Sequence, residues 1–170
     1  FVTLNYKSEI LKTYLKDLSK INPVITIQEK KPLGTAGSLF LIKNKIKNDF
    51  FLANCDTIIN ENYSDIYQNH KIKKNDITIV TATKKFKIPY GVCEENEKNF
   101  VMREKPEFKY NVNTGFYIIK DKVLKMIPVN KKIDFKELIN LVKKKKLKIG
   151  IYPIEDKNWV DVGQWSEIKK

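Results

Sequence analysis

The sequence predicts an α/β fold with a mixed, mainly parallel sheet and helices on both faces. Three observations predict it. Short β-branched or aromatic runs alternate with amphipathic helical segments through the first 80 residues. Strand-like runs then cluster from "YGVCE" to "VNTGFYII", and helical patterning returns at "KDKVLKMI". Alternation of the first kind builds parallel strands joined by crossover helices, and the middle cluster reads as an antiparallel excursion. At 170 residues and 42% hydrophobic, a single domain over residues 1–170 is expected, large enough to bury a core.

Each element has its own local reason. "FVTLNY" opens as a strand. "SEILKTYLKDLSK" sets Ile10, Leu11, Tyr14, Leu15 and Leu18 on one helical face, with Ser8 as the expected N-cap. Asn22-Pro23 breaks that helix, and the β-branched "VITI" reads as a buried strand. The loop "KKPLGTAGSL" follows, then an expected helix from Thr35 to Lys47. "DFFLANCD" is an apolar strand closed by an acid. "YSDIYQNH" places Tyr63, Ile66, Tyr67 and His70 at helical spacing. "DITIVTAT" is another buried strand, after which "YGVCE", "NFVMREKP" and "VNTGFYII" read as strands, the first two joined by the polar "ENEK". Helices are expected at "KDKVLKMI" and "DFKELINLVKKK". "KIGIYPI" is a late strand, and "NWVDVGQWSEI" leads into a last helical turn.

Composition excludes several classes of function. No apolar run approaches the roughly 18 residues that cross a bilayer. Net charge is +13, yet Arg103 is the one arginine among 33 basic residues. Such a charge raises nucleic acid as a partner, but arginine is the usual reader of guanine edges and bidentate partner of phosphate, so its scarcity argues against that reading. The run "KKKKLK" (Lys143 to Lys148) suits a helix C-terminus facing solvent. Cys55 and Cys93 lie in apolar stretches without CxxC spacing, and read as chance buried thiols in a reducing cytoplasm. His70 is the sole histidine, at the end of an apolar stripe, and is expected to pack or cap. Histidine-based nucleophilic chemistry therefore has little material.

In α/β folds ligands sit beyond the carboxyl ends of the strands, so acids and amides at those ends draw attention. Asp56 closes "FFLANCD", and Asp161 sits in "NWVDVGQW" beside a glycine. Both suit a hard cation such as Mg²⁺, although on spacing alone a turn or N-cap aspartate is the better account of Asp56. "REKP" sets Glu104 beside Lys105, a hydroxyl acceptor next to a phosphate partner, or an ordinary surface ion pair. "VNTGF" offers Asn113, Thr114 and a glycine that lets a ligand approach the backbone. The loop "KKPLGTAGSL" looks like half of a phosphate loop without its GxxxxGKS/T or GxGxxG pattern.

Taken in order, "KPLGTAGSL", "NCD", "YGV", "REKP", "VNTGFYI" and "WVDVGQW" resemble the sugar-1-phosphate nucleotidyltransferases across nearly all 170 residues. The resemblance implies a Rossmann-like three-layer sandwich. It implies nucleotidyl transfer from an NTP to a sugar-1-phosphate, giving an NDP-sugar and pyrophosphate. It is nearest to the bacterial branch that supplies precursors for surface glycans or flagellin glycosylation in the cytoplasm. By the same resemblance, Gln28, Gly34, Thr35 and Ala36 hold the nucleotide, and Gly91, Glu104, Asn113 and Thr114 the sugar. Lys105 meets the sugar phosphate, and Asp56 and Asp161 hold Mg²⁺.

The resemblance lacks one part. The family's N-terminal strand and GxGTR-type loop have no counterpart among the six glycines here. The expectation is an N-terminally truncated domain, short by on the order of 50 residues, the size of a βα unit. Weak or absent turnover by this chain alone is expected, as is room for a homo-oligomer. The alternative expectation is a catalytically incomplete module that binds or senses a nucleotide sugar.

Overall fold

The structure is a computed structural model and describes residues 1–96 and 99–164. Ten strands and four α-helices are described: β1 (Val2–Leu4), α1 (Ser8–Leu18), β2 (Thr26–Gln28), α2 (Gly34–Gly37), β3 (Phe50–Ala53), β4 (Thr57–Ile59), α3 (Tyr63–Ile72), β5 (Ile77–Lys87), β6 (Val92–Asn96), β7 (Asn99–Arg103), β8 (Glu107–Ile119), α4 (Phe135–Lys144), β9 (Ile149–Glu155) and β10 (Trp159–Asp161). Single 3₁₀ segments occupy Ser38–Ile42, Asp121–Met126 and Asp156–Asn158. The chain divides into two compact units. One comprises residues 1–51, 74–77 and 118–149, and the other residues 52–73, 78–117 and 150–170.

The first unit holds the parallel pair β1–β2, with Val2 opposite Thr26. Its core gathers Leu33, Ala36, Leu39, Ile42, Val123, Leu124, Ile133, Leu138 and Val142. Helix α4 starts as its sequence dictates, with a capping box in which Asp134 accepts from the Glu137 N–H and Glu137 accepts from the Asp134 N–H. Helix α1 forms where its periodicity predicts, but its entry differs. Lys7, in left-handed conformation at φ 50°, is the cap, and Ser8 is the first helical residue. No residue of α1 is buried, and Ile10 and Tyr14 stand 69% and 65% exposed. The expected helix from Thr35 to Lys47 is shorter too. It closes as an α-turn at Gly37 and continues as 3₁₀ only to Ile42. Its glycines let the backbone lie close to residues 131–133: a Cβ on Gly37 would lie 2.6 Å from the Lys131 carbonyl oxygen.

A buried ion knot ties this unit together. The Asp76 carboxylate is 8% exposed and accepts from Lys122 Nζ at 2.7 Å, the Lys148 backbone N–H at 2.9 Å and Lys120 Nζ at 3.1 Å. Burial pushes its carboxyl upward, but the Lys122, Lys148 and Lys120 hydrogen bonds outweigh burial and hold it below the usual carboxylate range. Because the folded carboxyl titrates below its unfolded value, its contribution to stability is complete above the ordinary carboxylate range. It fades as pH falls through the lowered folded value. Asp76→Asn is expected to cost about 1–3 kcal/mol. Melting curves at neutral pH check this, and the deficit relative to wild type should shrink in acid.

The second unit carries the greater part of a four-stranded sheet of order β3-β8-β5-β9. It also carries two antiparallel pairs, β10–β4 and β6–β7. Ile66, Val80, Ala82, Phe116, Tyr117 and Ile154 form its core. Asn62 caps α3 through its side chain, which accepts from the Ser64 N–H. His70 is fully buried, with Nδ1 2.7 Å from Thr78 Oγ1, which is the packing role expected of it. The described α-helices with parallel and antiparallel strands give the α/β class that the alternation predicts. Strand β4 was not expected, because "DTIINENY" reads locally as a turn, and its ladder partner β10 lies about 100 residues onward in sequence. The expected terminal helical turn falls mainly on residues 165–170, outside the described residues.

Candidate functional site

The second unit brings two of the predicted acids together. The antiparallel register β10–β4 sets Asp161 opposite Thr57, the residue after Asp56. The Val162 N–H donates to the Asp56 carbonyl at 2.9 Å, extending that ladder by one step. Gly163 then leaves an opening between the two side chains. A Cβ placed there would sit 2.9 Å from Asp56 Oδ2 and 3.1 Å from Asp161 Oδ1. Two carboxylates therefore face one small space that a methyl group would fill. Asp161 Oδ1 also accepts from the Gly163 N–H at 3.0 Å, which sets its rotamer. Asp56 itself lies in the turn between β3 and β4, three residues past the strand end where the apolar run suggests it.

That pair suits Mg²⁺. The donors are hard carboxylate oxygens, both half-buried, and Mg²⁺ is commonly held by one or two carboxylates with waters and phosphates completing its shell. Among the described residues no group of three or more His, Cys, Asp or Glu side chains comes together as a metal site.

The glycine of "YGV" and the acid of "REKP" also meet. A Cβ on Gly91 would lie 3.0 Å from Met102 Cε and 3.3 Å from Glu104 Oε2. Lys105 follows at φ 45°, exposed, with Nζ 3.9 Å from Glu104 Oε1. Arg103 turns to Glu94 on the facing strand at 3.4 Å. Asn113 is exposed, but its amide is engaged at both ends: Nδ2 donates to the Tyr117 hydroxyl at 2.8 Å, and Oδ1 accepts from the Gly115 N–H at 3.1 Å. Thr114 is 2% exposed and its hydroxyl donates to the Val80 carbonyl at 2.8 Å, so it braces β8 against β5. Gly115, at φ +78°, does not open the backbone to a ligand as its motif suggests. Asn54 Nδ2 and Thr57 Oγ1 occupy that face, 2.6 and 3.1 Å from where a Cβ would be.

In the first unit the "LGTAG" loop shows what occupies its amide groups. The Ile133 carbonyl accepts from the Ala36 N–H at 3.3 Å and the Gly37 N–H at 3.2 Å. These are first-turn amides, which in a phosphate loop would face an anion. Thr35 Oγ1 accepts from the Phe135 N–H at 3.1 Å, and the Leu33 N–H donates to Glu29 at 3.1 Å. Exposed Gln28 bonds weakly to the Asn5 and Glu29 carbonyls. Gln28 lines a cavity of about 460 Å³ with Lys30, Lys31, Leu33, Phe40, Leu41 and Asn130. Gly34, Thr35 and Ala36 do not line it, whereas Asn130, absent from the sequence reading, does.

Cys55 and Cys93 are both free and exposed, not buried as their apolar surroundings suggest. Cys55 sits in the same turn as Asp56, and Cys93 is exposed on the two-stranded β6–β7 ribbon. Sequence reasoning missed Thr57 and Gly163. The one available signal was a glycine two residues after Asp161, which leaves space beside a carboxylate.

A nucleotidyl transferase family model matches residues 1–170. The chain is 34% identical over 175 residues to a mannose-1-phosphate guanyltransferase of Schizosaccharomyces pombe, covering 96% of this chain and 47% of that protein. It is 33% identical over 137 residues to a probable mannose-1-phosphate guanylyltransferase of Oryza sativa, covering 74% of this chain and 38% of that one. The chain thus spans half or less of the length of these curated relatives. Among solved structures it resembles HddC from Yersinia pseudotuberculosis, with a TM-score of 0.69 at 21% identity, over 98% of this chain and 74% of that one. The same protein has been solved with GMP-PN. At that identity the likeness establishes the Rossmann-like fold.

Proposed function

The chain belongs to the nucleotidyl transferase family, the sugar-1-phosphate nucleotidyltransferases, and from that premise we propose that it serves transfer of a nucleotidyl group to a sugar-1-phosphate. The observation that carries this reading is the pair Asp56 and Asp161 around the gap at Gly163. In this reaction a phosphate oxygen of the sugar-1-phosphate attacks the α-phosphorus of an NTP in line. The bond to the β-phosphate oxygen breaks, and pyrophosphate leaves. No protein nucleophile is needed, so a fully buried His70 takes no part.

Asp56 and Asp161 would hold Mg²⁺, which when bound neutralises phosphate charge and orients the oxygens. Glu104 would accept from sugar hydroxyls beside Gly91. Lys105, exposed and with its ammonium 3.9 Å from the nearest Glu104 oxygen, would meet the sugar phosphate. Asn113 would reach the sugar only by exchanging its bond to Tyr117. Gln28, with the backbone of Gly34, Thr35 and Ala36, would hold the base. Guanine nucleotides lead the candidate series because the two curated relatives named above are mannose-1-phosphate guanylyltransferases. Bacterial origin, a cytoplasmic setting and a role in surface-glycan precursors belong to the same reading. No helix among the described residues is long and apolar enough to cross a membrane.

A second reading is a module that binds a nucleotide sugar without making it. Calorimetric titration with a panel of nucleotide sugars, with Mg²⁺ and with EDTA, tests both. Binding of one base–sugar combination, lost in Glu104→Ala, is expected. Pyrophosphate release with the matching NTP then separates an enzyme from a binding module. A folded chain that binds none of the panel would sink the proposal.

A further inference from the structure

We propose that Thr57 is a positioning residue for the Asp56 carboxylate, acting through the Thr114 carbonyl. This rests on the reading that Asp56 and Asp161 hold a divalent cation. The turn Asn54–Thr57 carries Asp56, and its two ends are fixed to consecutive residues of β8. The Asn54 N–H donates to the Gly115 carbonyl at 2.9 Å, and the Thr57 hydroxyl donates to the Thr114 carbonyl at 2.5 Å. Gly115 makes the approach possible. Its φ of +78° and missing Cβ let the Asn54 side chain lie where a methyl would be 2.6 Å from Nδ2.

The anchor itself is rigid. Thr114 is buried, and its hydroxyl is bonded to Val80 in β5. A continuous path therefore runs from the sheet core through Thr114 and Thr57 to the peptide after Asp56. On the other side, Thr57 is the ladder partner of Asp161. The same residue thus sets the turn bearing one carboxylate and the strand bearing the other. A β-branched residue suits β4 in any case, but valine would serve packing alone as well as threonine does. The hydroxyl is what distinguishes the two roles.

The test uses the 170-residue chain and Mn²⁺ as the probe, with free Mn²⁺ followed by electron paramagnetic resonance and folding by thermal melts. Wild type should bind, and Asp56→Asn should lose binding. Thr57→Val, which keeps shape and removes the hydroxyl, should stay folded and bind Mn²⁺ about 10-fold more weakly, as outer-shell partners of metal ligands do. Thr57→Ser should return affinity to within about 3-fold of wild type. If Thr57→Val does not fold, Thr57→Ala is read in its place. Loss in Asp56→Asn with wild-type affinity in a folded Thr57→Val overturns the positioning role alone. So does a folded Thr57→Ser that binds as poorly as the valine variant. Equal binding by wild type and Asp56→Asn overturns the metal reading, and the positioning role falls with it.

Discussion

Replacing Asp161 with asparagine is expected to remove most of the chain's affinity for a divalent cation, and with it the rise in melting temperature that saturating Mn²⁺ or Mg²⁺ brings. The substitution keeps the volume and the hydrogen bond from the Gly163 N–H, so the turn is preserved. What it removes is one of two charges facing the gap at Gly163. A charge-assisted contact of this kind contributes about 1.5–3 kcal/mol, so affinity should fall by roughly 10- to 150-fold. Without cation the sign reverses. Two carboxylates held close together repel, and neutralising one should leave the cation-free variant as stable as wild type or slightly more so. With cation at about 100 times the wild-type dissociation constant, wild type gains about 2.7 kcal/mol and the variant about 0.3–1.4 kcal/mol. Melts with Mn²⁺ should therefore place the variant below wild type, and melts with EDTA should not. An identical Mn²⁺-dependent shift in both proteins would rule out Asp161 as a ligand.

Gly34→Ala should be the most damaging single methyl in the first unit. Gly34 has φ +78°, a conformation costing an L side chain about 1–2 kcal/mol. The added Cβ would also lie 2.5 Å from the Ile133 carbonyl oxygen, and that oxygen is fixed by bonds from Ala36 and Gly37. Backbone on both sides cannot yield as a flexible side chain would. Strain and displacement together predict a loss of about 2–4 kcal/mol. For a chain of this length that lowers the melting temperature by on the order of 5–15 °C. Denaturation midpoints within experimental error of wild type would show that the loop adapts without strain. A nucleotide weakened only in parallel with this loss of stability would mean that Gly34 serves the loop's shape more than the base.

Elements specified by local chemistry were legible. Helix α4 carries its own start in Asp134 and Glu137 and its own stop in a run of lysines, and the structure begins and ends it there. Strand β5 has a continuous β-branched run and a turn before it, and it forms. Where neighbours compete with propensity, the sequence misleads. The segment after Gly34 has helical spacing, yet its α-turn closes at Gly37 and it tightens to 3₁₀ over Ser38–Ile42. The stripe on α1 has the periodicity of a buried face, yet Ile10, Leu11, Tyr14 and Leu18 stand exposed and Leu15 is only half-buried. The apolar setting of Cys55 and Cys93 suggests burial, but one lies in a turn and the other on the β6–β7 ribbon, and both are exposed.

By itself the sequence determined the α/β class, the order of most elements and the identity of the acids and amides worth watching. Those follow from periodicity, capping and turn chemistry, which act within a few residues. Only the tertiary structure decided which of them meet. Asp56 and Asp161 are about 100 positions apart and become neighbours through the β10–β4 register, a pairing that no local pattern encodes. Likewise, Thr114 and Thr57 are ordinary threonines in sequence. One hydroxyl turns inward to Val80 and the other to the Thr114 carbonyl, because a buried hydroxyl or carbonyl must find a partner and the packed sheet determines which one is in reach.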